Sequence, residues 1–231
     1  MRSIDFRASD ENANAAFSSR AGLRRFSDGA YASVFKRCFD LVVAAMLLPL
    51  LLPVIAVLWM IVRSDGAAGF FGHKRVGKDG RAFRCWKIRT MVPDAEARLQ
   101  ALLSSDAEAA AEWARDHKLT NDPRITAIGR FLRQTSLDEL PQIWNVITGE
   151  MSFVGPRPIV VAELEKYGKH QAAYLAMKPG ITGLWQVSGR NDVTYDERVA
   201  MDIEYQKAMS CGTDIKLMVK TVTAMFNRTG Y

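Results

Sequence analysis

Residues 41–62 read LVVAAMLLPLLLPVIAVLWMIV, with no charged side chain among them. As a straight helix, a run of this length matches the ~30 Å apolar core of a bilayer. Lys36, Arg37 and Asp40 precede it and Arg63 follows. Cations at both ends leave the positive-inside rule no direction to choose. Pro49 and Pro53 fall in the middle, where each removes a helix hydrogen bond and bends the axis. A helix that enters one leaflet, turns at the prolines and returns to the same face accounts for both features. Its broken backbone must then find partners within the protein. A plain kinked span is the alternative; a buried soluble core helix is disfavoured by the length.

Around this block, 231 residues suffice for one good core and a small appendage. The formal charge of +6 and a pI near 9.3 suit anionic partners: nucleic acid, phosphorylated metabolites or the negative face of a bilayer. Cys38, Cys85 and Cys211 are far apart and form no CxxC pair, which favours a reducing, cytosol-facing location. His73, His117 and His170 lack zinc-site spacing. The N-terminal residues are rich in Ser, Asn, Ala and Arg without periodicity, which predicts a disordered arm over 1–33. They do not read as a secretory signal, because the apolar block starts too late.

After the block, apolar and aromatic runs within 70–91 flank Lys78-Asp79-Gly80, a tight-turn signal that predicts a β-hairpin. Pro93 to Lys118 is rich in Ala, Glu, Leu and Arg and predicts one surface helix. Ser136 to Thr148 is helical by pattern. Either Ser136 and Glu139 form a capping box, or Asp138 is the cap with Pro141 in the tolerant first turn; the second is preferred. In both, Asp138 sits at a helix N-terminus whose dipole favours its ionised form. Residues 160–177 read as helix and the Gly-rich 178–192 as loop. Thr213 to Arg228 predicts an amphipathic helix with Ile215, Met218, Val219, Val222, Met225 and Phe226 on one face, for a membrane surface or the protein's own core.

The chemistry concentrates in TSLDELPQIWNVITGEMSFVGPRP, residues 135–158. An Asp-Glu pair at a helix start is usually a cap. Here, however, Arg133 lies just upstream, Lys87 and Arg89 end a strand, and Arg157 is locked between two prolines. Carboxylates beside cations and a divalent ion are what phosphoryl transfer requires. No GxxxxGK[ST] loop, strand-to-helix GxGxxG or GxSxG occurs, which disfavours ATP-driven kinases, Rossmann enzymes and serine hydrolases. Basic and aromatic residues at 71–89 suit nucleic acid, but the apolar block argues for a lipid phosphate or nucleotide sugar at a membrane instead.

The ordered motifs KRCFD (36–40), WKIRTM (86–91), NDPRIT (121–126), SLDELPQIWNV (136–146), GEMSFVGPRP (149–158), KPGITGLWQVSGRND (178–192) and DIKLMVKT (214–221) resemble the bacterial sugar transferase family over residues 34–231. These are small monotopic phosphoglycosyl transferases that begin exopolysaccharide assembly. The resemblance implies transfer of a sugar-1-phosphate, galactose or glucose by overall likeness, from a UDP-sugar to undecaprenyl phosphate with release of UMP. It implies that Asp138 attacks the phosphate next to the sugar, giving a phosphosugar-aspartate. Glu139, with Asp138, would hold Mg²⁺, and Lys87 would complete the catalytic set. Arg133 and Arg157 match phosphate-handling or site-shaping arginines, with Arg89 and Arg190 as further cations and Asp214 at a position the family treats as important. One departure is that Pro53 follows Leu52, where some members have Ser-Pro.

The expected fold is an α-rich α+β monotopic membrane protein with a re-entrant helix (34–63), a small β-hairpin and interfacial amphipathic helices on a catalytic domain (64–231). The expected location is the cytoplasmic face of a bacterial inner membrane. Membrane lipids are partners, nucleic acid is not, and the resemblance admits a homodimer and downstream glycosyltransferases.

Overall fold

The computed structural model describes residues 31–116, 119–188 and 193–226. The expected arm falls mostly at residues 1–30, outside the described residues. A π-helical turn, Tyr31–Phe35, leads into α1 (Lys36–Arg63), a single helix that runs through Pro49 and Pro53. Its apolar run is too long for this domain to cover. Leu41, Val42, Met46, Leu50, Leu52, Val54, Val57 and Met60 remain exposed, and both prolines lie on the exposed side. Ala44, Ile55, Leu58 and Val62 form the stripe that is buried against the domain. Among the described residues, α1 alone is long and apolar enough to cross a membrane.

The hairpin follows as expected. β1 (Phe70–Val76) pairs antiparallel with β2 (Ala82–Ile88), in a register that sets Phe71 opposite Lys87, His73 opposite Cys85 and Arg75 opposite Phe83. The connection takes positive φ at both Asp79 (57°) and Gly80 (77°), the left-handed conformation that suits tight hairpin turns. The region expected as one surface helix is two, α2 (Ala95–Ser105) and α3 (Ala107–Asp116). They part at Asp106, whose carboxylate accepts from the Glu108 and Ala109 amides and so starts a second helix.

α4 (Ala127–Gln134) is capped by Thr126, whose hydroxyl accepts from the Gly129 amide. A 3₁₀ turn, Leu137–Glu139, then precedes α5 (Gln142–Thr148). Neither expected cap forms: Ser136 is left-handed (φ 57°) with no side-chain cap bond, and Pro141, not Asp138, is the N-cap of α5. The strained Ser136 tightens the chain into the 3₁₀ turn, which removes both carboxylates from the capping position.

β3 (Ser152–Val154) is followed by α6 (Val161–Leu164), a 3₁₀ stretch (Glu165–His170) and α7 (Gln171–Leu175), so the helical reading of 160–177 holds only in pieces. The expected loop at 178–192 instead contains β4 (Gly180–Thr182), parallel to β3, and α8 (Leu184–Ser188). Glycine permits this pairing. A β-carbon on Gly180 would sit 2.7 Å from Gly155 Cα, and one on Gly155 would sit 2.4 Å from the Lys178 carbonyl oxygen.

α9 (Tyr195–Ala208) begins with a Thr194–Glu197 capping box, and α10 (Cys211–Phe226) closes the described chain. α10 is helical as expected but buries Asp214 and Leu217, leaving the apolar Ile215, Val219 and Val222 exposed. The reason is polar: Asp214 accepts from Lys36 Nζ at 2.5 Å, Tyr205 Oη at 2.7 Å and Tyr31 Oη at 2.8 Å. This network turns α10 toward the root of α1.

One core unites α1, β2, α5, β3 and α10 through Ala44, Ile55, Cys85, Val146, Val154 and Leu217. A second lies under α6, α7 and α9, and a third joins Leu58 and Val62 of α1 to Ile88 and Leu132. Each fully buried Val or Leu contributes about 1.5–3 kcal/mol. The third cluster holds the 3₁₀ turn against the end of β2, where the site forms.

Candidate active site

Strand alternation turns Cys85 and Lys87 to one side of β2, and Arg89 follows just past its end. The hairpin register places Phe71, His73 and Arg75 of β1 on that same side. The 3₁₀ turn brings Asp138 and Glu139 to meet Lys87. Its ammonium donates to Glu139 Oε1 at 2.7 Å and lies 3.4 Å from Asp138 Oδ2. These groups wall a cleft of about 550 Å³ that is also lined by Thr90, Arg133, Gln142, Arg157 and Gln186.

Charge inside the cleft is divided unevenly. Burial pushes the Asp138 carboxyl above the ordinary aspartate range, and Lys87 only partly offsets it. This reverses the expectation that a helix dipole would hold Asp138 ionised: Asp138 is 6% exposed, and desolvation outweighs the distant dipole. At Glu139 burial acts in the same direction, but Lys87 and Arg157 outweigh it and hold its carboxyl below the usual glutamate range. Burial alone would depress Lys87, yet Glu139 and Asp138 together raise it above the ordinary lysine value. Two adjacent carboxylates with opposed shifts are suited to different tasks.

Of the expected site residues, Lys87, Asp138, Glu139, Arg133, Arg157 and Arg89 all line the cleft. Arg133 is tethered by Nε to Thr90 Oγ1 at 2.9 Å. The Arg157 guanidinium lies 6.0 Å from the Trp185 ring centre, and Arg198 covers the same ring at 4.5 Å. Arg89 is committed elsewhere. Its guanidinium donates to the carbonyls of Ala68, Met91 and Val62 and to the Asp65 carboxylate, and so ties the C-terminal end of α1 to β2. Asp214 does not line the cleft; it is buried at the other end of α1 in the Lys36 ion pair. Arg190 lies outside the described residues.

The sequence reading missed His73 and Arg75, although the hairpin itself carried the signal: residues 71, 73 and 75 must share a face with Lys87 once the turn is fixed at Asp79-Gly80. It also missed the pairing of Lys36 with Asp214, for which no local pattern exists.

No group of three or more His, Cys, Asp or Glu side chains placed to hold a metal ion occurs among the described residues. Asp138 and Glu139 are the adjacent carboxylates that could hold Mg²⁺, an ion commonly held by one or two carboxylates with substrate phosphates and water; in this structure the Lys87 ammonium lies against both.

A long apolar helix is laid on a small domain, beside a cleft in which cations surround two carboxylates. Residues 31–228 match the family model described as bacterial sugar transferase, and the chain belongs to that family. It is 53% identical over 195 residues to a UDP-galactose-lipid carrier transferase of Erwinia amylovora, covering 84% of this chain and 41% of the relative. It is 52% identical over 195 residues to an undecaprenyl-phosphate galactose phosphotransferase of Salmonella typhimurium, again 84% and 41%. It is 46% identical over 191 residues to the exopolysaccharide production protein ExoY of Rhizobium meliloti, covering 82% and 84%. The chain thus spans about two fifths of the length of the first two relatives and most of the third.

Proposed function

We propose that the chain transfers a sugar-1-phosphate, galactose-1-phosphate or glucose-1-phosphate, from a UDP-sugar to undecaprenyl phosphate, releasing UMP at the start of exopolysaccharide synthesis. The observation that carries this reading is Lys87 set between Asp138 and Glu139 in a cleft with Arg75, Arg133 and Arg157. A diphosphate brings concentrated negative charge, and a carboxylate approaches it only where cations screen both. The relatives' names supply the substrates.

In the proposed reaction, an Asp138 carboxylate oxygen attacks the phosphorus next to the sugar. The bond from that phosphorus to the UMP oxygen breaks, and UMP leaves with the electron pair. An oxygen of the lipid phosphate then attacks the same phosphorus, and the aspartate departs as carboxylate. Lys87 screens the nucleophile and opposes the upward push of burial on the Asp138 carboxyl. Glu139, held ionised, and Asp138 would hold Mg²⁺, which when bound supplies neutralising charge to the diphosphate. Arg133 and Arg157 bind phosphate oxygens.

The two pinned ends of α1 support a monotopic arrangement, which we place on the cytoplasmic face as part of the same proposal. Its N-terminal end is pinned by Lys36 to Asp214 and by Asp40, which accepts from Ser152 Oγ and the Phe153 amide. Its C-terminal end is pinned by Arg89 to Val62 and Asp65. A helix with both ends tied to one polar domain leaves the bilayer on the side it enters. Cysteines at 34 and 66 should both be labelled from the cytoplasmic side; labelling from opposite sides would make α1 a true span. For the activity, UMP release is measured from UDP-galactose, UDP-glucose and other UDP-sugars with undecaprenyl phosphate and Mg²⁺. Release that requires both substrates supports the assignment, and none with any donor rejects it.

A further inference from the structure

At the root of α1 a second cationic site lies beside Gly149, formed by Arg37 and Lys178, neither of which lines the cleft. A β-carbon at Gly149 would sit 3.4 Å from Lys178 Nζ and 3.5 Å from Arg37 Nη2, so both cations converge on one small space that glycine leaves open. Arg37 is held there by donating to the carbonyls of Val146 and Ile147 at the end of α5. Those carbonyls are neutral and leave its charge unbalanced. Lys178 has no hydrogen-bond or ion-pair partner among the described residues. Asp40, the acid that favours its charged form, is engaged with Ser152 and Phe153. Burial and then Arg37 hold the Lys178 ammonium below the ordinary lysine range, with Lys78 and Lys36 acting in the same sense. A half-buried cation among like charges is unfavourable unless an anion joins it.

Position says which anion. Arg37 stands in the first turn of α1, between the exposed Val34 and Phe35 (60% and 62%) and the exposed Leu41 and Val42. That is the level at which the apolar helix meets the headgroup layer, where a basic pocket can take an anionic lipid. We propose that Arg37 and Lys178 form a binding site for the phosphate of an anionic membrane phospholipid, which docks the domain at the N-terminal root of α1. The site is separate from the transfer cleft, and the proposal rests only on α1 lying in a bilayer.

The test is acetylation of Lys178 in the full chain, followed by mass spectrometry. Three settings are compared: phosphatidylcholine vesicles, the same vesicles with phosphatidylglycerol, and detergent with inorganic phosphate. A lipid phosphate paired with Lys178 keeps it protonated and unreactive. Phosphatidylglycerol should therefore slow its acetylation about five-fold relative to phosphatidylcholine, while exposed Lys166 changes little. In flotation assays Lys178→Gln should lose about five-fold of the preference for phosphatidylglycerol vesicles, Lys178→Arg should keep it, and Lys166→Gln should not alter it. Equal labelling of Lys178 in the two vesicle types, or equal loss from Lys166→Gln, would overturn the site. Equal protection by inorganic phosphate in detergent would overturn the lipid assignment. Failure to float with phosphatidylcholine alone would instead contradict the membrane placement of α1.

Discussion

Lys87→Met should leave the two adjacent carboxyls without the cation they share, so that one of them takes up a proton more readily. One ammonium serves both acids, at 2.7 Å from Glu139 and 3.4 Å from Asp138. At an effective dielectric near 20, these separations correspond to gross attractions of about 6 and about 5 kcal/mol. Desolvation of the lysine offsets much of that, and removing one partner of a buried pair costs about 3–5 kcal/mol. Methionine preserves the bulk but leaves adjacent acids without their shared cation. Asp138, already raised by burial, should take the proton, because Glu139 retains Arg157. A carboxyl whose folded pKa is raised contributes stability that is full below its unfolded pKa and lost as pH rises through the folded value. The variant's deficit in a denaturation assay should therefore be smallest in acid and grow toward pH 8. Transfer at pH 7 should fall by roughly 10²-fold and recover in part at higher pH as Asp138 ionises, and Lys87→Arg should retain more activity than Lys87→Met. Near-normal activity with an unchanged pH profile in Lys87→Met would mean that Lys87 does not control the ionisation of Asp138.

Asp202 gives a second pH effect. It is buried on α9 and accepts from Tyr167 Oη at 2.7 Å, while its other oxygen lacks a hydrogen-bond partner, and burial pushes its pKa up to about 7 from 3.8. Across about three units this group should remove about 4 kcal/mol of stability as pH rises from ~4 to ~7. Asp202→Asn, measured by denaturation at pH 4 and pH 8, should abolish that slope and be the more stable protein at pH 8. Gly180→Ala should destabilise by about 3 kcal/mol or prevent folding, since its β-carbon would enter the β3 backbone at Gly155; a melting scan checks it. Asp214→Asn should lower stability by breaking the buried Lys36 pair, about 3–5 kcal/mol, without changing the KM for UDP-sugar in variant that remains folded, because Asp214 lies outside the cleft.

Legibility followed the range of the interactions. The apolar run at 41–62, the Asp79-Gly80 turn and the carboxylate pair announce themselves within a few residues, and so the long helix, the hairpin and the core of the site were readable. The β3–β4 pair was not, because three-residue strands carry no periodicity and the Gly-rich 178–192 reads as a loop. The caps at Ser136 or Asp138 failed because local capping rules ignored the left-handed Ser136 and the packing of Leu137 and Leu140 against Ile88 and Leu132. The sequence left the apolar face of α10 open between a membrane surface and the core; its exposed Ile215, Val219 and Val222 fit the first, while the contact that buries Asp214, with Lys36, joins distant parts of the chain and carries no local pattern. Arg89 looked like a phosphate ligand by charge and position, whereas its hydrogen bonds make it a fastener for α1.

If Asp138 is the nucleophile, intact-mass spectrometry after mixing with UDP-sugar and Mg²⁺, without lipid acceptor, should find a phosphosugar adduct on Asp138, formed with UMP release and discharged when undecaprenyl phosphate is added. Asp138→Asn should form no adduct and transfer nothing. Full transfer by Asp138→Asn, or an adduct mapped to another residue, would contradict it.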